Sequence, residues 1–238
     1  MDKPLLAEKS ALITGASRGI GFAIAQRLGQ LGVQIAICGR NQNTLDKACM
    51  RLHDEGIDAL ALTADVSRGR DVSSLVDKTL AHFGAVDFLV NNAGIGRFGP
   101  VQEFNENDWD TVLDTNLKGA FLVSRALAPA MISRGRGHIV NISSLAGKNF
   151  FAGGSLYCAS KWGLLGLTYC MAEDLRAHGI RVTAICPGSV ATEFGHPSSK
   201  NAHKMLQPDD VAHAVEMVLT AEPQSFISEV VMRPTQKP

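Results

Sequence analysis

Short apolar runs recur along the whole chain, and each is separated from the next by a stretch long enough for a helix and patterned like one. Runs that stay apolar instead of alternating with polar residues read as strands buried on both faces, which need helices above and below them. Their alternation with amphipathic stretches argues for βαβ units, a parallel sheet and right-handed crossovers. Strands are expected at about 10–14, 34–38, 59–64, 88–91, 138–142, 181–185 and 227–232, with helices at about 19–31, 42–55, 72–83, 106–133, 156–177 and 208–221. The pattern predicts an α/β chain built on one doubly wound, seven-stranded parallel sheet with helices on both faces. No linker, repeat or low-complexity block interrupts it, so residues 1–238 are read as a single domain.

The first run ends at Thr14 and leads into Gly15, Ala16, Ser17, Arg18, Gly19, Ile20 and Gly21. A strand that turns through glycines into a helix presents free amides outward, a ready site for pyrophosphate, and marks the sheet as a Rossmann dinucleotide-binding one. The spacing is G-x-x-x-G-x-G, where the usual fingerprint is G-x-G-x-x-G. About twenty positions further on, where an acidic residue would accept the ribose hydroxyls of NAD and repel the extra phosphate of NADP, the second strand ends Cys38-Gly39-Arg40. Gly39 leaves room, Arg40 offers a fork of donors to a phosphate, and Arg18 brings a second cation toward the same region. The expected cofactor is therefore NADP(H).

Tyr157 and Lys161 stand four apart in the helix expected at 156–177, so they share a face and address one small site. An ammonium held near a phenol favours the phenolate and draws the tyrosine pKa down from about 10, which makes Tyr157 a candidate general acid or base. Ser144 lies thirteen residues earlier, where the fifth strand stops in a hydroxyl pair. That places its hydroxyl at the carboxyl edge of the sheet, where the sites of open α/β sheets lie.

Together with Asn91-Asn92-Ala93-Gly94 at the end of the fourth strand, these motifs resemble the short-chain dehydrogenase/reductase family in its compact single-domain branch, over about residues 9–234. The long first gap in the glycine loop is the form this family uses. The resemblance implies reversible hydride transfer between NADP(H) and a carbonyl or secondary alcohol, with a 3-ketoacyl thioester or small ketone as substrate; an NAD-linked alcohol or sugar dehydrogenase of the same family is the alternative. It implies that Tyr157 gives or takes the substrate proton, that Ser144 hydrogen-bonds the substrate oxygen, and that Lys161 binds the nicotinamide ribose while tuning the phenol. Asn116 would hold a water bridging to the lysine. For the cofactor, the resemblance assigns Asp65 and Val66 to the adenine, Asn92, Ala93 and Gly94 to the surface it lies across, Pro187, Gly188 and Val190 to the nicotinamide end, and Thr192 to the pyrophosphate. Two departures bear on substrate and assembly. Residues 193–206 form a short polar segment, with Pro197 and two serines, where many relatives carry a longer helical lid, and the ending Val230-Val231-Met232-Arg233-Pro234 lacks the usual valine-aspartate-glycine-glycine.

Twenty-three basic residues balance twenty-three acidic ones, so no global field recommends nucleic acid or an anionic membrane as a partner. The amino end lacks a signal-peptide core and no stretch reaches the roughly 18 apolar residues of a membrane span, which points to the cytoplasm. The five cysteines are scattered through apolar runs and read as buried free thiols, and the seven histidines show no metal-ligand spacing. The helix from Leu156 onward carries Trp162, Leu164, Leu165, Leu167 and Met171 on more than one face. A sheet covers only one side of such a helix, so a homo-oligomer is expected, and the family resemblance implies a tetramer.

Overall fold

A computed structural model of the chain describes residues 6–194, 201–222 and 224–236. Seven parallel strands form one sheet in the order β3-β2-β1-β4-β5-β6-β7. They are β1 Ser10–Thr14, β2 Gln34–Gly39, β3 Ala59–Thr63, β4 Phe88–Asn91, β5 Gly137–Ile142, β6 Ile180–Pro187 and β7 Glu229–Met232. The helices are α1 Gly19–Gln30, α2 Gln42–His53, α3 Gly69–Phe83, α4 Glu106–Leu113, α5 Gly119–Arg134, α6 Ser155–Arg176 and α7 Pro208–Leu219.

Strand periodicity sorts the core into two layers. Ala11 and Ile13 of β1 with Ile35 and Ile37 of β2 face α1, α2 and α7, which contribute Ile24, Leu45 and Val215. Leu12, Ala36 and Cys38, the residues between, face the other way toward α3, α5 and α6, which contribute Leu75, Leu127 and Leu175. Both faces of the central strands are thus dry, and this is why their sequences run apolar without alternation. The strand order reverses between β1 and β4, so two neighbouring strands send their chains to opposite sides and leave a crevice beyond their carboxyl ends.

The stretch expected as one helix over 106–133 is helical without a break, but its ladder is not uniform. Between α4 and α5, Asp114–Lys118 forms a π turn, closed by the Gly119 N–H bonding back to Asp114 O. A π turn inserts one residue into the ladder, and here it buries Thr115 and Asn116. Pro129 sits inside α5, which continues past it to Arg134. At the opposite end of the sheet, buried Asp87 collects the Ser10 N–H at 3.2 Å and Arg134 at 2.9 Å, with Arg136 and Lys9 at 3.6 and 3.9 Å. In the core, Thr183 donates to Ile227 O at 2.7 Å and therefore accepts from the His138 Nε2–H, also 2.7 Å away. His138 is thereby fixed as the Nε2–H tautomer with a bare, unpartnered Nδ1.

Helix α6 has two characters. Its inner side buries Leu156, Ser160, Lys161, Leu164, Leu165 and Thr168, while Trp162 and Tyr169 on its outer side remain 53% and 40% exposed. A β-carbon at Gly166, on that outer side, would meet nothing within 4 Å. Pro197 and the two serines of the short segment, like Met1 to Leu5, lie outside the described residues.

Candidate active site

Strands β1, β4, β5 and β6 all end on one edge of the sheet, and the residues that follow them line a cavity of about 990 Å³. This is at the upper end of small-molecule sites, about 300–1,000 Å³. Gly15, Ser17, Arg18, Gly19, Ile20, Arg40, Asp65, Val66, Asn92, Ala93, Gly94, Ser144, Tyr157, Lys161, Pro187, Gly188, Val190 and Thr192 all line it. Gly21 and Asn116 do not; they lie behind the wall and shape it.

At one end, α1 begins with no side-chain cap and no acidic residue in its first turn. Uncapped first-turn amides and the positive end of a helix suit a bound anion. The loop ahead of α1 is held by β4: Thr14 Oγ1 accepts from the N–H groups of Asn92 and Ala93, each at 3.0 Å, and Asn92 Nδ2 donates to Thr14 O and Gly15 O at 3.0 Å. Two of the glycines answer to this bracing. A β-carbon at Gly15, whose φ is +64°, would stand 2.7 Å from Ala93 Cα, and one at Gly21 would stand 2.5 Å from Asn92 Nδ2. Their smallness is thus required by neighbouring protein, which the spacing alone had suggested was for phosphate. A β-carbon at Gly39, by contrast, meets nothing closer than 3.6 Å, with Ser17 Oγ among its neighbours, so there is room beside Arg40. Burial pulls the Asp65 carboxyl upward, but its bonds from Ser67 and the charges of Arg40 and Arg68 outweigh this and hold it below the ordinary range.

Arg18 does not point into this end alone. Its guanidinium pairs with Glu193 across the mouth of the cavity, and Thr192 Cγ2 lies 3.4 Å from where a Gly19 β-carbon would be. The chain beyond β6 therefore packs on the glycine loop. It is pinned there by Leu206 N–H to Ser189 O at 3.0 Å and Ala191 N–H to Leu206 O at 2.8 Å.

At the other end stand Ser144, Tyr157 and Lys161. Ser144 follows β5, and its Oγ accepts from Ala146 N–H at 3.1 Å, which leaves the hydroxyl proton to be aimed elsewhere. Lys161 is 4% exposed, donates to Ile142 O at 2.9 Å, and holds its ammonium 5.8 Å from the centre of the Tyr157 ring. The expectation that the lysine draws the phenol pKa down is corrected here. Burial pushes Tyr157 up to about 12, only partly offset by a hydrogen bond with Ser144, and burial takes Lys161 down to about 8. Desolvation penalises both charged forms and outweighs the other influences on each group.

Asn116 reaches the site from the π turn. Its Nδ2 donates to Ile95 O at 2.9 Å and Ser160 Oγ at 3.0 Å, and its Oδ1 accepts from Ile95 N–H at 2.8 Å. Gly94 is the junction, since a β-carbon there would lie 3.3 Å from Asn116 Oδ1 and 3.7 Å from Lys161 Nζ. Behind it, Asn91 donates to Ser124 and Asn141, and Asn141 donates to Thr168, tying β4, β5, α5 and α6 at 2.8–2.9 Å. Asn91 belongs to the motif that ends β4, but no motif signalled its partners Ser124 and Asn141 or the further link to Thr168. Phe98, Phe151 and Phe194 come from three loops to the cavity wall.

Comparison with known proteins agrees with this geometry. Residues 9–203 match the family described as short chain dehydrogenase. An uncharacterized oxidoreductase of Staphylococcus saprophyticus is 35% identical over 231 residues, covering 96% of this chain and 98% of that protein. The solved structure of a metagenomic short-chain oxidoreductase in complex with NADP is similar with a TM-score of 0.87 at 43% identity, covering 98% and 100% of the two chains. An alcohol dehydrogenase from the archaeon Thermococcus sibiricus, complexed with 5-hydroxy-NADP, is similar with a TM-score of 0.90 at 31% identity, covering 97% and 98%.

Proposed function

The chain belongs to the short-chain dehydrogenase/reductase family, and we propose that within it the protein is an NADPH-dependent reductase of a carbonyl substrate, working reversibly on the matching alcohol. One observation carries this reading. Tyr157, Ser144 and Lys161 meet at one end of a single cavity whose other end is an uncapped helix N-terminus beside Gly39 and Arg40. Gly15, Ser17, Gly19 and Ile20 would receive the pyrophosphate, Gly39 and Arg40 the additional phosphate, Asp65 and Val66 the adenine, and residues 187–192 the nicotinamide end. The bound nicotinamide supplies the hydride.

The chain's own residues then handle the proton. Ser144, its oxygen already accepting from Ala146, directs its hydroxyl at the substrate oxygen. Tyr157 passes its phenolic proton to that oxygen as the carbon receives the hydride, and a phenolate remains on the half-buried cavity wall. Burial makes this phenolate costly, so the nearby Lys161 ammonium is needed at that moment. In this account Asn116 is a positioning residue that fixes the Gly94-Ile95 backbone beneath the lysine. Ketoacyl thioesters and small ketones are the substrate classes to test first.

We further propose that the enzyme is cytoplasmic, in keeping with its five free cysteines, and assembles as a homotetramer through the outer side of α6. No helix among the described residues is long and apolar enough to cross a membrane. The test of cofactor choice is a comparison of kcat/KM for NADPH and NADH. Wild type should prefer NADPH by at least about tenfold, and Gly39→Asp with Arg40→Ala should reverse the preference by replacing an attraction with a repulsion. Equal efficiency with the two cofactors in the wild type would overturn the NADPH assignment.

A further inference from the structure

The half of the cavity around the Tyr157 hydroxyl is walled by aromatic rings. Phe98 stands edge-on to Tyr157 with ring centres 5.5 Å apart, Phe194 is tilted against the same ring at 5.6 Å, and Phe151 backs Phe98 at 6.0 Å. These separations fall in the range of about 4.5–7 Å in which aromatic pairs attract. The rings converge because Gly96 has no side chain: a β-carbon there would lie 2.7 Å from Phe98 Cε2 and 3.2 Å from Phe194 Cε1. All three phenylalanines keep 42–48% of their surface exposed, and they direct it into the cavity, where apolar area is available to cover a ligand.

Charge is distributed the other way. Among the described residues, the charged ones that line the cavity are Arg18, Arg40, Asp65, Lys161 and Glu193. Arg18, Arg40 and Asp65 belong to the dinucleotide end, Glu193 is paired with Arg18, and Lys161 lies beneath Tyr157 bonded to Ile142 O. Among the described residues, a carboxylate or phosphate on the substrate would find no cation among the rings and would be left desolvated and unpaired.

Resting on the reductase reading above, we infer that the substrate is an uncharged carbonyl compound whose carbonyl carries an aromatic ring or similarly flat apolar group, packed against Phe98 and Phe194. A short acyl thioester brings only a methyl group to this wall, and a keto acid brings a charge.

The test measures kcat/KM with saturating NADPH for an acetophenone, an aliphatic diketone, an acetoacetyl thioester and a keto acid, alongside NADPH binding by fluorescence. The acetophenone should lead the others by at least about tenfold, the scale on which apolar pockets discriminate. Phe98→Leu and Phe194→Leu keep apolar volume and remove the ring, so each should lower the acetophenone-to-diketone ratio at least about fivefold through KM, with NADPH affinity unchanged. Preference for the thioester or the keto acid, or a ratio unmoved in both variants, overturns this inference and leaves the reductase reading standing. Failure of every carbonyl to consume NADPH overturns both.

Discussion

Because one buried setting pushes the Tyr157 phenol up to about 12 and the Lys161 ammonium down to about 8, the two directions of the reaction should respond oppositely to pH. Carbonyl reduction needs the proton on Tyr157, which is present throughout the neutral range. Its kcat/KM should therefore stay level below about pH 8 and fall as Lys161 loses its charge above that. Alcohol oxidation needs the phenolate and should climb as pH rises toward 8; a reduction rate that rises between pH 6 and 8 would contradict this. Tyr157→Phe deletes only the transferable proton, so it should cut turnover by about 10² to 10⁴ with cofactor affinity nearly intact. Retention of a tenth of wild-type turnover would remove Tyr157 from the role. The Tyr157, Lys161 and Ser144 set was legible in the sequence because helix geometry turns a spacing of four into a shared face, and a strand end fixes the serine. The direction of the pKa shifts was not, since burial has no signature in spacing. Neither was the Arg18–Glu193 pair, whose members are 175 residues apart.

Strands were readable to within two residues at most ends because burial on both faces leaves an apolar run with sharp limits. The helix expected over 106–133 is helical throughout, but the π turn at Asp114–Lys118 inside it was not legible, because no residue type marks an inserted residue. What fixes the π turn is tertiary, namely the bonds of Asn116 to Ile95 and Ser160. At the far edge of the sheet, Asp87 joins β1, β4 and the end of α5. Asp87→Ala would leave the Ser10 N–H and Arg134 without their acceptor, and it should lower stability by about 2–3 kcal/mol in urea unfolding while sparing activity of the folded enzyme. His138 offers a second check on packing. Burial first, and then the Arg181 charge, lower it to about 3, far below its ordinary 6.5. The folded state thus refuses a proton that the unfolded chain accepts, and this site's support for folding is full above pH 6.5 and erodes as pH falls toward 3. Long-range nitrogen NMR at pH 5 should show a neutral ring protonated at Nε2, and a charged ring or the Nδ1–H tautomer would break the argument from Thr183.

For the molecule as a whole, the outer side of α6 makes the oligomer the natural expectation. Exposed Trp162 and Tyr169 flank the open space at Gly166, and Phe121 on α5 is also 40% exposed. A second copy of the chain laid against this helix would cover rings that water now touches, with the glycine permitting close approach. Light scattering at micromolar concentration should report four copies, and a monomeric mass would refute the assembly. Since the outer side of α6 would meet a neighbour while its inner side carries Tyr157 and Lys161, dissociation would release the very helix that holds the proposed acid. Mass action then makes specific activity a function of enzyme concentration. On serial dilution it should fall along the same curve as the loss of assembled protein, and NADPH should shift that curve to lower concentration if it binds the assembled form more tightly.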